Sequence, residues 1–301
     1  MKIAVTGAFS YSGKYITHRL LAQGYEVITL TNHPERGDPF GSKVEVRPLN
    51  FNARDSITES LQSAVILINT YWVRFDKGQN TQSRAVENTR ILIDSAVQAG
   101  VKKVIHISIT NPSLDSPLPY FSGKAANERT VMGSGMSYTI LRPTVLFGKE
   151  DILINNIAWI LRRFPLMLIP GDGSSRLQPV YVDDLAQLVV EACGKFDNQI
   201  LDAVGPDIFS FREMVELIGT TIGIERPLVS CPSWMALSGA RLIGLFVGDV
   251  VLTREEVLGL MANLLVSNAP PRCNSRLVDW LQLNRDKVGR NYASELSRHY
   301  F

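Results

Sequence analysis

A tyrosine and a lysine four residues apart, Tyr120-Phe-Ser-Gly-Lys124, offer the first chemistry in this chain. On a helix, positions i and i+4 share a face, so the phenol and the ammonium point into one site. A neighbouring ammonium stabilises a phenolate and lowers the phenol's pKa. Tyr120 could then exchange a proton with a carbonyl or an alcohol near neutral pH, and Lys124 could also hold a nicotinamide ribose. Such a pair arises often by chance on a surface helix. Its position gives it weight: it follows the apolar run Val104–Ser108 and opens the next helical stretch.

The second signal lies at the start, in Lys2-Ile-Ala-Val-Thr-Gly-Ala-Phe-Ser-Tyr-Ser-Gly13. A strand enters, glycines turn the chain, and an amphipathic run leaves. Gly7 permits a tight turn, and Gly13 lets the helix pack closely on the strand. With Ala8, Ser10 and Tyr11, these residues would present free N–H groups and a positive helix end to a pyrophosphate. Ser10 stands where the usual pattern has its middle glycine, and its hydroxyl could donate a bond instead. The plainer alternative is an ordinary strand–helix turn. Folds that prefer NAD place an acid at the end of the second strand to hold the ribose 2′-OH. Here Thr31 and Asn32 occupy that stretch and Arg36 follows, which favours a 2′-phosphate. NADP(H) is therefore the preferred cofactor and NAD(H) the alternative, unless His33 and Arg36 simply face water.

The elements that must position these groups alternate in type. Strands are expected at Lys2–Thr6, Glu26–Thr31, Val44–Pro48, Val65–Thr70, Val104–Ser108 and Tyr138–Leu141. Helices are expected at Gly13–Gln23, Ser56–Ser63, Arg84–Ala99 and Phe121–Ser134. The alternation predicts an α/β fold with a Rossmann-like, doubly wound parallel sheet. After Phe147 the rhythm changes, and helical patterns dominate from Phe211 to Leu265, broken by Pro227 and Pro232. Residues 1–150 are expected to form a dinucleotide-binding domain to which 176–205 return. Residues 151–175 and 206–301 are expected to form a smaller, mostly helical substrate or partner lobe.

Composition sets the outer bounds. With 301 residues at roughly 100–200 per domain, one large domain with a smaller lobe is allowed. Apolar residues are 45 % and charged residues 20 %, a globular balance that excludes disordered and fibrous classes. The 31 basic and 29 acidic residues give no field for nucleic acid. Cys193, Cys231 and Cys273 are scattered, and His18, His33, His106 and His299 lack ligand spacing, so neither a disulfide framework nor a metal site is expected. No signal peptide is evident, and the apolar stretch Trp234–Leu252 is interrupted by Arg241 and Asp249, which argues against a membrane span. A cytoplasmic protein is the expectation.

Five motifs in order carry a resemblance: Thr6-Gly-Ala…Gly13, Asn88 in Glu-Asn-Thr-Arg, Tyr120-x-x-x-Lys124, Leu141-Arg-Pro143 and Val180-Tyr-Val-Asp-Asp184. The chain resembles the short-chain dehydrogenase/reductase superfamily in its extended and atypical branch. That branch includes NAD-dependent epimerase/dehydratases, NmrA-like proteins and the nucleotide-binding accessory subunit of respiratory complex I. The motifs cover roughly residues 1–205. The resemblance implies that Gly7, Ser10 and Gly13 form the dinucleotide turn, and that Asn50 and Phe51 flank the adenine. It places Asn69-Thr-Tyr71 beneath the cofactor, makes Tyr120 the acid/base with Lys124 its ribose-binding partner, and sets Pro143 near the nicotinamide. Asp183 and Asp184 match a structural pair.

Two departures stand against it. Ser10 replaces a glycine, and Ile109 falls where the superfamily carries the hydroxyl that polarises a substrate carbonyl. Ser108 and Thr110 flank it, and a one-residue shift would bring in either one. Without such a donor, rates fall by about 100–1,000-fold. Two functions therefore stand. One is hydride transfer to or from a small carbonyl or alcohol substrate, with epimerisation as a variant. The other is a non-catalytic NADP(H)-binding structural, assembly or redox-sensing protein with a partner protein or a homodimer mate.

Other features are weighed the same way. The Pro-rich loop before Tyr120 is a substrate lid or a rigid connector. Trp72, Arg74 and Phe75 line a pocket, or Trp72 packs in the core, which is the commoner case. Asn155 and Asn156 are weaker substrate candidates on an amphipathic helix spanning 152–164. Thr253–Glu256 reads as a helix-capping box. Trp234–Leu252 is a docking surface for a substrate, a partner or a membrane face, or, as a 300-residue core would favour, a buried helix.

Overall fold

The computed structural model describes residues 1–34 and 37–299. It divides into two compact units, one comprising Met1–Pro143 with Asp183–Ala203 and the other Thr144–Val182 with Val204–Phe301.

The first unit runs β1 (Lys2–Thr6), α1 (Tyr11–Ala22), β2 (Glu26–Thr31), β3 (Val44–Pro48), α2 (Arg54–Leu61), β4 (Ile66–Asn69), α3 (Gln82–Gln98), β5 (Lys103–Ile107), α4 (Pro119–Met132) and β6 (Ser137–Pro143). The chain then builds β7 (Val145–Phe147), α5 (Leu153–Arg163), β8 (Met167–Pro170), β9 (Arg176–Leu177) and β10 (Pro179–Tyr181). It returns through α6 (Val182–Cys193) and β11 (Gln199–Ala203). The remainder is β12 (Phe209–Ser210), α7 (Phe211–Thr221), β13 (Leu228–Cys231), α8 (Ser233–Val247), α9 (Arg254–Met261), α10 (Leu277–Asn284) and α11 (Glu295–His299).

Seven strands form one sheet in the order β11-β6-β5-β4-β1-β2-β3, and every pairing in it is parallel. Its inner strands β1, β2, β4 and β5 are buried on both faces, as a parallel sheet covered by crossover helices requires. Ala4, Ile28, Leu67, Val104 and Ile140 pack against Ile57, Leu61, Leu92, Ala96 and Val131 of α2, α3 and α4. The alternate residues Ile3, Val5, Ile66, Ile68 and Ile105 are buried on the other face. There α1 and α6 are tied by Arg19, which donates to both oxygens of Asp183 at 2.7 and 2.8 Å. The strand order reverses at β1, between β2 and β4. In open sheets of this kind, ligands bind in the crevice outside the strand C-termini at such a point.

The second unit holds three two-stranded ladders, β10–β7, β13–β8 and β12–β9, beside its helices. Residues 144–150 and 176–182, expected in the first domain, lie here instead, because β7 and β10 pair with each other and not with the large sheet. The two prolines that break the helical pattern bracket β13, a strand the periodicity did not predict. The box at Thr253 is formed: its hydroxyl accepts from the Glu256 N–H at 3.2 Å, and the Glu256 carboxylate accepts from the Thr253 N–H at 2.9 Å. The expected burial of 234–252 is overturned, since only Ala236 and Gly244 of α8 are buried.

Helix α5 fastens the segment 285–293. Arg162 donates to the carbonyls of Val288 and Arg285, and Arg163 to that of Arg290. Asn156 exchanges two bonds with the backbone of Ala293, at 3.0 and 2.8 Å. Gly289 makes this possible. Its φ is +67°, and an added Cβ would lie 2.5 Å from the carbonyl carbon of Ala158. Gly289→Ala is expected to destabilise the fold by about 2 kcal/mol or more, from strain and overlap together. Urea unfolding with an unchanged m-value would report it as a lower midpoint, and an unchanged midpoint would show that the clasp can yield.

Candidate functional site

The strand ends of the first unit meet at one edge. Gly7 leaves β1 with φ +68°, and its N–H donates to the Leu30 carbonyl of β2 at 3.0 Å. The Ala8 N–H donates to the Thr29 hydroxyl at 3.0 Å. Ser10 then caps α1, its Oγ accepting from the Gly13 N–H at 3.3 Å. The hydroxyl that replaces the usual glycine thus closes the turn upon itself. At Gly13 an added Cβ would lie 2.0 Å from the Gly7 carbonyl oxygen, so only glycine allows α1 this close to β1.

Next to the turn, β4 and β5 supply a buried polar lattice. Asn69 Oδ1 accepts from the Thr6 hydroxyl at 3.2 Å and from the Tyr71 N–H at 3.0 Å. Its amide nitrogen donates to His106 Nδ1 at 3.1 Å, which leaves the His106 proton on Nε2. His106 Nε2 has no partner among the described residues. Burial, and after it the charge of Lys124, pushes the His106 pKa down to about 3, so the ring is neutral. Asn69, expected beneath a cofactor, has both amide groups engaged by the protein. Phe51 lies 5.0 Å from the Tyr71 ring, and Asn88 donates to the Tyr71 hydroxyl at 2.8 Å.

Pro119 occupies the first turn of α4, where its missing N–H costs nothing, and Tyr120 follows it. Lys124, one turn on, is buried and donates to the Ile107 carbonyl of β5 at 2.9 Å. Trp72 shares this space. The Lys124 ammonium sits 4.9 Å from the centre of the indole, a cation–π contact. The Tyr120 ring meets the indole edge-on at 5.6 Å. Gly123 makes room, since a Cβ there would lie 2.7 Å from Trp72 Cη2. Burial pushes the Lys124 pKa down to about 7, opposed by the charge of Glu128. The readable signal for this contact was Gly123, a glycine inside a helix.

The two hydroxyls beside Ile109 part company. Ser108 Oγ donates to Glu128 at 2.5 Å, and Arg142 of β6 grips the same carboxylate at 2.9 and 2.6 Å. Glu128 lies eight residues beyond Tyr120 on α4, about 12 Å along the axis. Ser108 is therefore committed to a structural network away from the phenol. Thr110 is different: it is fully buried, its N–H donates to the Pro143 carbonyl at 3.0 Å, and its hydroxyl has no partner among the described residues.

Asn50 is exposed and turns its Oδ1 onto the Asn52 N–H at 3.0 Å. Asn32 is exposed at the end of β2, and Arg36 lies outside the described residues. Tyr11 opens α1 with its ring 6.0 Å from that of Tyr15. Asn155 and Asn156, weaker substrate candidates, are buried and bonded to backbone: Asn155 donates to the Gly148 carbonyl and the Asp151 carboxylate, and Asn156 holds Ala293. Burial pushes the Asp151 pKa up to about 7, against the donors that face it. The second unit carries an open cleft of about 620 Å³ lined by Asp172, Arg176, Phe209, Arg212 and Glu213 among others. Among the described residues no group of three or more His, Cys, Asp or Glu is arranged to hold a metal.

The turn fits a dinucleotide. Ser10 takes the Gly13 N–H, and the start of α1 beside it is a helix end that favours a phosphate. Among the described residues no acid closes the end of β2, where the Thr31 hydroxyl accepts from the His33 N–H at 3.0 Å.

Comparison with known proteins agrees with this geometry. The family model "NAD dependent epimerase/dehydratase family" matches residues 3–202. The NADH dehydrogenase [ubiquinone] 1 alpha subcomplex subunit 9 of Arabidopsis thaliana mitochondria is 26 % identical over 324 residues, covering 97 % of this chain and 80 % of that protein. An NADPH-dependent quinone oxidoreductase from Escherichia coli superposes with a TM-score of 0.75 at 17 % identity, over 92 % of this chain and 97 % of the other. A nucleoside-diphosphate-sugar epimerase from Staphylococcus aureus superposes with a TM-score of 0.73 at 19 % identity, over 94 % and 100 %. With the glycine turn at the head of a seven-stranded parallel sheet and two thirds of its length matched, the chain belongs to the NAD-dependent epimerase/dehydratase family.

Proposed function

We propose that the protein binds a nicotinamide dinucleotide, NADP(H) in preference to NAD(H), at the Gly7–Gly13 turn, and retains it as a structural, assembly or redox-sensing ligand. The observation that carries this reading is the state of Lys124. Its ammonium lies buried between the Ile107 carbonyl and the face of Trp72, a packed position and not an open one. The spending of Ser108 on Glu128 supports it further. Solved neighbours are described as complexes with NAD+ or with NADPH, and curated relatives are named as subunits of NADH dehydrogenase. The second unit then serves as the partner-facing lobe, of a partner protein or a second copy, and the protein resides in the cytoplasm.

A second reading keeps catalysis. The Thr110 hydroxyl has no partner among the described residues, and Tyr120 and Lys124 share a face of α4. A bound nicotinamide supplies hydride chemistry. Tyr120 would then move the proton, Lys124 would steady the phenolate and the ribose, and Thr110 would bond the carbonyl of a small substrate. In this reading the indole of Trp72 must leave Lys124 before the ribose is held.

Titration of the purified chain with NADPH and NADH, followed by nicotinamide fluorescence, separates the two. Tight NADPH binding without turnover of added carbonyl compounds, unchanged in Tyr120→Phe, is the expected result. Turnover that Tyr120→Phe lowers by about a hundredfold or more establishes the catalytic reading. Absence of binding by either nucleotide removes both.

Lys124 gives an independent check. Its folded pKa of about 7 lies below the ordinary lysine value of 10.5. Between these values the unfolded chain holds the proton and the folded chain does not, so this group makes stability rise with pH. Below pH 7 both states are protonated and the burial penalty stands in full. Lys124→Met is expected to melt higher than the natural chain at pH 6 and to lose most of the rise between pH 7 and about 10. A variant that melts lower at pH 6 would show the ammonium to be a net stabiliser.

A further inference from the structure

A surface helix ordinarily turns its apolar stripe inward and its charges to solvent. Helix α8 is built the other way. Its outward positions are Trp234, Met235, Ser238, Arg241, Leu242, Leu245 and Phe246. At 100° per residue they span an arc of about 140°, one continuous face. Trp234 is 66 % exposed, Leu242 60 %, Leu245 82 % and Phe246 89 %.

Glycines hold this orientation. The buried side presents Ala236 and Gly244, and an added Cβ at Gly244 would lie 2.6 Å from the Asp249 carbonyl oxygen. At Gly239 an added Cβ would lie 2.9 Å from Leu168 Cδ1 of β8. Rotating α8 to bury its tryptophan and leucines would drive larger side chains into these contacts. The end is fixed as well. Gly248 closes the helix with φ +64°, and the Asp249 carboxylate accepts the N–H groups of Val250, Glu295 and Leu296 at 2.7, 2.7 and 3.2 Å.

We infer that α8 is a membrane-surface helix, which lies in the plane of an anionic lipid bilayer and inserts Trp234, Leu242, Leu245 and Phe246 into its interface. Three observations select this occupant. The helix has 15 residues, about 22 Å, too short for a hydrocarbon core of about 30 Å, so it lies along the surface. Its outward face has no acidic side chain, and its one charge is Arg241, whose aliphatic stem can rest on the apolar stripe while the guanidinium meets an anionic headgroup. The face is also a narrow ridge. Two copies meeting through it alone would bury about 450 Å², a strip of 22 by about 10 Å on each, against roughly 1,200 Å² or more for a stable protein interface. A bilayer sets no such threshold, since attachment grows with the apolar area inserted.

The test is flotation of the full chain with vesicles of phosphatidylcholine alone and of phosphatidylcholine containing phosphatidylserine. The expected result is co-flotation with the serine-lipid vesicles and weaker co-flotation with the neutral ones. The double substitution Leu245→Glu, Phe246→Glu is expected to lower the bound fraction by about tenfold or more. Arg241→Gln should weaken binding to the anionic vesicles while leaving binding to the neutral ones. The substituted side chains face solvent, so thermal melting of both variants should match the natural chain. Failure to float with either vesicle overturns the inference. So does a double variant that floats like the natural chain. A dimer in sedimentation equilibrium that the double substitution splits, with no flotation, would assign the ridge to a second copy.

Discussion

Everything at the sheet's ligand edge depends on one close approach. At Gly13 the space between α1 and β1 is so small that a methyl group would overlap the Gly7 carbonyl oxygen, 2.0 Å away. That approach brings the start of α1 against the end of β1, between the ends of β2 and β4. The hydrogen bonds from Gly7 to Leu30 and from Thr70 to Thr6 then stitch the three strand ends together. Helix N-terminus, strand ends and the reversal of strand order coincide at one place because a hydrogen atom stands where other residues carry a side chain.

Around that edge, polar groups that could serve chemistry are largely consumed by structure. Asn69 is shared among Thr6, Tyr71 and His106. Ser108 and Arg142 satisfy the buried carboxylate of Glu128. An unpaired carboxylate at that depth would be strongly destabilising, so the network explains why a serine at the end of β5 turns toward Glu128 and not toward Tyr120. The ammonium of Lys124 meets the same constraint and finds a carbonyl and an indole face.

The second unit repeats the glycine principle. Gly289 lets the segment after α10 cross α5, and Gly239 and Gly244 decide which side of α8 faces inward. For α8 the absence of a side chain fixes an orientation that hydrophobic content alone would reverse. The exposed ridge of α8 follows from sterics on its inner face.

The sequence by itself determined the first unit in some detail. β1, β2 and β3 fall at the expected residues, and the four helices begin within two residues of expectation, because short apolar runs with periods of two and 3.6 encode them locally. The glycine turn and the Tyr120–Lys124 spacing were legible for the same reason. Tertiary structure alone decided the rest. Whether Ser108 or Thr110 keeps a free hydroxyl depends on Glu128, twenty residues away from Ser108 along the chain. Whether Lys124 is open depends on Trp72, delivered from the end of β4. The exposure of α8 depends on Leu168 and Asp249 packed beneath it. Local periodicity reports which residues prefer burial, but which of them obtain it is settled by partners that only the folded chain brings within reach.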